Sequence, residues 1–370
     1  MRLTRSWLML LCLLALTIAS ADVRADASAD ADADANSDAG AGEAVQLETV
    51  HRFQFTDEAS SATELSGITW VEGDRYLAVS DKHDRIYPLR ITLDMASGAI
   101  EDIEVGPSVT LLRDDGRPLG RTDLEGVAYD RRTNTVLTAD ELGPTLREHQ
   151  PDTGTLLREL TPSSHPDLRV FARIRTNLAW ESLTLTPDGR HVWTANEESL
   201  RNDGPRSTPD AGTLVRLQRL TRDLEPVGQW AYRTDPLPGR ITFPPRFARR
   251  EAAGVSELLA LDDGRLLALE RHFGGTDAGL AHFRIRIYEI DFTDATDTTD
   301  IDRFFDLADD EINTVAKRLV WETISYAPID NLEGMTLGPE LDTGDRAVLL
   351  IGDNNGGHTH ALYALRLLRP

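Results

Sequence analysis

NLEGMTL, residues 331–337, sets an acid among apolar neighbours. Leu332, Met335 and Leu337 are apolar and Gly334 is small, so Glu333 stands where an unpaired carboxylate is costly to bury. The same pattern returns as DLEGVAY at 123–129 and as ELSGITW at 64–70. Internal repeats of this length indicate an array of like units.

Aligning on the motif gives five units: LSGITW from Leu65, LEGVAY from Leu124, WESLTL from Trp180, SELLAL from Ser256 and LEGMTL from Leu332. The acidic position is Glu125, Glu181, Glu257 and Glu333, with Ser66 in the first unit, and successive spacings are 59, 56, 76 and 76 residues. Each motif leads through a turn (EGD, DRRTN, PDG, DDG, LDTGD) into a second apolar run, which predicts a hairpin. The second runs end at Asp81, Asp140, Asn196, Glu270 and Asp353. A third, alternating strand follows in each unit, and a fourth in all but the last: IEVGPSVTLL, TLLRELTP, PVGQWAYRT and KRLVWETIS.

The fifth unit runs out at Pro370, while VQLETVHRFQF (45–55) stands unassigned at the other end. An N-terminal strand that completes the last unit explains both and removes the exposed sheet edges. The expected fold is an all-β propeller of four-stranded blades closed by the N-terminal strand. Five blades are counted, and the long 76-residue spacings leave room for a sixth. The extra length falls in polar inserts, one of which carries FFDLADDEIN (304–313), read as a short helix.

In such a ring the first strands line a central channel. Glu125, Glu181, Glu257 and Glu333 are expected near the axis, with Asp81, Asp140, Asn196, Glu270 and Asp353 toward one mouth. Converging carboxylates raise one another's pKa unless a cation sits among them, and calcium takes six to eight oxygens from such groups. This set is the candidate metal cage, for Ca²⁺ or another divalent cation. The opposing expectation is that the glutamates only cap backbone groups or pair with arginines. The loops after the second strands add Lys82, His83 and Arg85; Glu141; Glu197, Glu198 and Arg201; Arg271 and His272; Asn354, Asn355 and His358. Glu125, Glu181, Lys82, His83, Arg271 and His272 are the catalytic candidates: carboxylates and imidazoles move protons, and cations bind an anionic substrate. No G-x-S-x-G elbow, H-E-x-x-H or P-loop occurs.

Composition bounds the rest. Arg2 and Arg5 precede an apolar run, Trp7 to Ile18, and Ala19-Ser20-Ala21 has the form of a cleavage site, which predicts a signal peptide over 1–21 rather than a membrane span. The one cysteine, Cys12, falls inside it, so the mature chain has no thiol chemistry. Residues 22–44, almost wholly Ala, Asp, Gly and Ser, read as a disordered acidic linker. The folded domain is 45–370. A net charge of −23 argues against nucleic acid and anionic membranes as partners.

The LEG strands, with SDKHDRIYPL, WESLTLTPDG, TANE and LLALER, resemble the phytase-like proteins described as having esterase-like activity, which are exported bacterial β-propellers. The likeness runs from about Leu65 to Leu367. It implies a hydrolase of esters, phosphate esters among them, that uses calcium, and it matches Glu125, Asp140, Glu181, Asn196, Glu257, Glu270 and Glu333 to the family's recurrent acidic positions. The expected protein is an exported, periplasmic or secreted monomer that performs metal-assisted hydrolysis of a small phosphate or carboxylic ester. The alternative is a non-catalytic periplasmic ligand-binding or scaffold propeller whose acidic rings are structural.

Overall fold

The computed structural model describes residues 44–56, 62–175, 177–307, 311–326, 330–357 and 359–369. The segments expected to be a signal peptide (1–21) and, as far as Glu43, a linker lie outside the described residues, as does His358. The chain forms a five-bladed β-propeller of four-stranded antiparallel blades. The innermost strands are Leu65–Glu72, Leu124–Asp130, Trp180–Leu185, Ala252–Ala260 and Asn331–Glu340. The last blade takes its outermost strand from the N-terminus: Leu47–Phe55 pairs with His360–Leu367, Leu47 against Leu367 and Phe55 against His360.

The hairpin turns have the predicted chemistry. Gly189 and Asn134 adopt left-handed φ of +67° and +54° at two of them, the conformation that a tight hairpin demands. Among the described residues there are five blades and no sixth; the long spacings are taken up by connections after Asn196, Arg233 and Asp291, the second of which holds the 3₁₀ turn Pro245–Phe247. Residues 304–307 and 311–313 form turns and bends rather than a helix. The helical segments among the described residues are two 3₁₀ turns, Pro166–Arg173, started by the His165 ring accepting from Asp167 N, and the short Pro245–Phe247. The fourth strand of the first blade is Ile100–Val105, a shorter element than the predicted 103–112; Gly106 bends the chain before Val109–Thr110 rejoins the third strand.

Apolar side chains pack between blades, with one buried cluster for each of the five interfaces. Val79, Leu124 and Val127 join the first blade to the second, and Leu137, Trp180 and Leu183 the second to the third. Tyr232 and Val255 share the third cluster, Leu269 and Leu332 the fourth, and Ile351 and Leu65 the fifth. At the axis the strands approach too closely for side chains at some positions. A Cβ on Gly67 would lie 2.2 Å from the Glu125 carbonyl oxygen, and one on Gly126 2.6 Å from Leu183 Cβ. This is what the glycine of the LEG motif provides. Farther along, threonines stitch neighbouring inner strands: Tyr129 N donates to Thr69 Oγ1 (3.1 Å), Ala260 N to Thr184 Oγ1 (3.2 Å) and Trp70 N to Thr336 Oγ1 (3.0 Å).

Gly67→Ala is expected to destabilise the propeller by about 1–3 kcal/mol through overpacking at the axis. Chemical denaturation checks this; an unchanged midpoint would mean that the blades are not held so tightly.

Candidate functional site

Every inner strand carries a β-bulge at the motif. Pairing steps from Leu65↔Ser80 to Gly67↔Val79, from Trp180↔Asn196 to Ser182↔Ala195, and from Leu332↔Gly352 to Gly334↔Ile351. The second strand pair shifts likewise between Leu124 and Val127, and the fourth between Val255 and Glu257. A bulge adds one residue and re-aims its side chain. The extra residues are Ser66, Glu181, Ser256 and Glu333, with Glu125 in the second blade's shifted segment. So a glutamate can sit in an apolar strand without entering the inter-blade core.

Register also corrects the second ring. Five residues pair with the positions that head the motifs: Asp81 N donates to Glu64 O, Glu141 N to Asp123 O and Glu197 N to Ala179 O, while Arg271 faces Gly254 and Asp353 faces Asn331. This ring is Asp81, Glu141, Glu197, Arg271 and Asp353. The predicted Asp140, Asn196 and Glu270 each stand one residue earlier, and a one-residue step along a strand reverses the face. Each is engaged by neighbours of its own. Asp140 pairs with Arg147 at 2.7 Å. Asn196 accepts from Arg216 N (2.9 Å) and donates to Glu198 O (2.5 Å). Glu270 is enclosed by Tyr232 (2.6 Å), His272 (2.8 Å) and Lys317 (2.5 Å), which takes His272 out of the mouth as well. Glu257 is displaced too, because the bulge in its strand is Ser256. Its carboxylate accepts Leu183 N (2.8 Å) and Leu258 N (3.0 Å), and burial pushes its pKa well up.

The remaining candidates converge. One oxygen each from Asp81, Asp123 and Glu125 lie within 4.8 Å of one another, and so do oxygens of Glu125, Glu141 and Glu181. Glu125 is common to both groups. Arg271 is the cation of this ring: it binds Glu197 (2.7 Å), Glu333 (2.9 Å) and Asn331 Oδ1 (3.0 Å), with Glu181 at 3.9 Å. Asn331 Nδ2 also donates to Glu333 Oε1 (2.8 Å) and Asp353 Oδ2 (3.3 Å). At the rim, Lys82 pairs with Asp81 and stands 3.8 Å from Glu64, and His83 Nε2 lies 3.4 Å from Thr63 Oγ1. Asp123 and Asn331 were not expected from the sequence, and Glu141 and Glu197 were named only as loop residues beside the chosen ring, not as metal or catalytic candidates. The polar residue heading DLEG and NLEG was their signal in two cases, and a position one past the chosen ring in the other two.

Burial dominates the electrostatics. It raises Glu125 and Glu181 well above the carboxylate range, aided by the neighbouring acids. Glu141 rises to about 8 through burial and Glu197, and Asp81 to about 7 through burial against a lowering by Lys82. Glu333 reaches about 8 through burial, although Arg271 pulls it down.

Residues 61–356 match the phytase-like family described as having the esterase-like activity of phytase. The chain belongs to that family. No curated protein matches it. Among solved structures, the chain is similar to the glutaminyl cyclase of Myxococcus xanthus at 10% identity and TM-score 0.40, covering 88% of this chain and 98% of that one. It is also similar to the aldose sugar dehydrogenase of Streptomyces coelicolor at 13% identity and TM-score 0.37, covering 86% and 98%. The described residues of this phytase-like family member include acidic groups that could hold a metal. No helix among the described residues is long and apolar enough to cross a membrane.

The raised carboxyls predict an unusual pH dependence. Glu141 and Glu333 hold protons in the folded state up to about 8, against 4.5 for the free group. Their contribution is full below 4.5 and is lost as pH rises through 8. Buried His149 acts oppositely, its pKa lowered by burial from 6.5 to about 4, but only below 6.5. In chelator, the melting temperature should therefore fall between pH 6.5 and 8.5, and Glu333→Gln should flatten the slope. A melting temperature that rises over this range would contradict the buried cluster.

Proposed function

We propose that the acidic mouth is the active site of an ester hydrolase assisted by a divalent cation, calcium being the first candidate. The observation that carries this reading is the pair of oxygen clusters sharing Glu125. The donor set fits a hard cation, which prefers carboxylate oxygens. Asp81 Oδ1 is buried without a hydrogen-bond partner, as an oxygen awaiting a cation would be. Asp81, Asp123, Glu125, Glu141 and Glu181 would hold the metal. When bound, the cation polarises the ester oxygen and lowers the pKa of water.

The protein's own groups supply the rest. Arg271 orients Glu333 through Oε1, which leaves Oε2 to carry a proton at the edge of the cluster. Lys82 and Arg271 offer charge to an anionic ester, and His83 stands at the rim for proton transfer. His272 is not part of the proposed site. With so few cations among so many acids, a small phosphate or carboxylic ester suits the mouth better than a polyphosphorylated one. Asp140, Asn196, Glu257 and Glu270, which are bound up in structural hydrogen bonds, favour the competing reading of a binding or scaffold propeller. Turnover decides between the two.

Glu125→Gln should abolish both calcium-dependent melting and metal-dependent hydrolysis of generic phosphate and carboxyl esters, since it weakens both oxygen clusters. Calcium-independent melting of the wild-type protein, together with no turnover on any ester, would leave the scaffold reading standing. The same proposal takes 1–21 as a secretory signal peptide, 22–44 as a linker, and the exported product as a monomer in the periplasm or medium. N-terminal sequencing of the exported chain should find it beginning after Ala21.

A further inference from the structure

At the far ends of the inner strands lies a second mouth of different chemistry. It opens into a cavity of about 310 Å³ whose lining includes Trp70, Arg131 and Arg346, with Ile68, Leu183 and Met335 among its apolar walls. These three apolar residues also belong to the inter-blade cores, and each lies along its strand between the bulge and the far end. The acidic residues at the bulges are not part of this lining.

Two guanidinium groups share one indole. The Arg131 guanidinium carbon lies 3.9 Å from the Trp70 ring centroid and that of Arg346 lies 4.8 Å from it. Stacking on an aromatic face holds each fork while leaving its N–H edges available. Most of the local acids are occupied elsewhere. Asp130 is bound by Arg222 (2.5 Å) and by Arg132 N (2.8 Å). Asp188 accepts from Thr186 Oγ1 (2.6 Å) and Arg190 N (3.0 Å). Asp262 stands 3.7 Å from Arg346, and the Arg346 Nε remains buried without a partner. Among the described residues, no carboxylate lies within ion-pairing distance of Arg131. Burial, and then the charge of Arg346, lower the Arg131 pKa, so the two cations are uncomfortable together. Solubility cannot account for paired arginines in a cavity of a protein whose net charge is −23.

We infer that this mouth binds a small oxyanion, a carboxylate or a phosphate group, in the forks of Arg131 and Arg346, with the attached carbon body against Ile68, Leu183 and Met335. The charge-assisted fork supplies affinity, and the apolar wall selects what the anion is attached to. The site is independent of any hydrolysis at the acidic mouth.

Calorimetric titration of the full chain in chelator, at fixed ionic strength, tests it with inorganic phosphate and with benzoate as probes. At least one probe should bind saturably in the millimolar range. Arg131→Met should weaken it roughly tenfold, as should Arg346→Met. Arg90→Met, which removes an exposed arginine elsewhere, should leave it unchanged and controls for net charge. Phosphate binding alone points to a phosphoryl ligand, and benzoate binding alone to a carboxylate on a flat body. Circular dichroism verifies that each variant folds; Arg131 is exposed, so its replacement disturbs little packing. Absence of saturable binding by either probe overturns the inference, and so does binding that Arg131→Met leaves intact.

Discussion

One extra residue in each inner strand governs the site. A regular strand sends alternate side chains to opposite faces, and here the strands must bury one face between blades. Without the bulge, an acid following Leu124, Trp180 or Leu332 would have to displace apolar packing. The bulge detaches that residue from the ladder and releases it toward the axis. It can do so because its neighbours at Gly67, Gly126 and Gly334 have no side chain where adjacent blades nearly touch. Tight axial packing and the acidic mouth are thus two outcomes of the same local geometry.

The cluster then faces an electrostatic problem that the protein solves only in part. Arg271 contacts Glu197 and Glu333 directly, and Lys82 reaches Asp81 from the rim. Glu125 has neither; its neighbours are other acids. Two resolutions exist for such a group. It holds a proton, which accounts for the raised proton affinity, or it shares a cation with Asp81, Asp123, Glu141 and Glu181. A fully structural ring would show the pattern of Glu257, in which backbone amides surround the carboxylate. Glu125 does not follow that pattern. This contrast between equivalent-looking residues is why the second and third blades, rather than the whole ring, hold the centre of the proposed site.

The sequence reveals the repeats because hairpin turns and alternating strands are local, and five copies reinforce one another. Ring closure was equally readable, since a missing strand at one end matched a spare strand at the other. Side-chain direction was not. Asp140, Asn196 and Glu270 end their runs as Asp81 and Asp353 do, yet they point the other way, because each stands one residue earlier against the same pairing, opposite Leu124, Trp180 and Val255 where Ser80 is opposite Leu65. A bulge leaves no distinctive residue in the sequence, so the glutamate of SELLAL aligns with that of LEGMTL while occupying a different position. Asp123 and Asn331 could have been taken from DLEG and NLEG. Their proximity to Glu125 and Glu333 depends on the bulge, and so required coordinates.

A closed ring gives a single chain two chemically separate ends. Each inner strand passes from its bulge, acidic in three blades and a serine in the other two, through an apolar residue such as Ile68, Leu183 or Met335, to a threonine or alanine near the opposite mouth. The apolar residues are fixed by the inter-blade cores, so neither end can change its charge by borrowing groups from the other. The arginines of the far mouth come from the hairpin after Asp130 and the start of the Arg346 strand, elements that also set blade geometry. Charge at both ends is therefore carried by parts of the chain that the fold already holds rigid. That rigidity lets opposite charges face opposite solvents across a few residues of strand without collapsing onto one another.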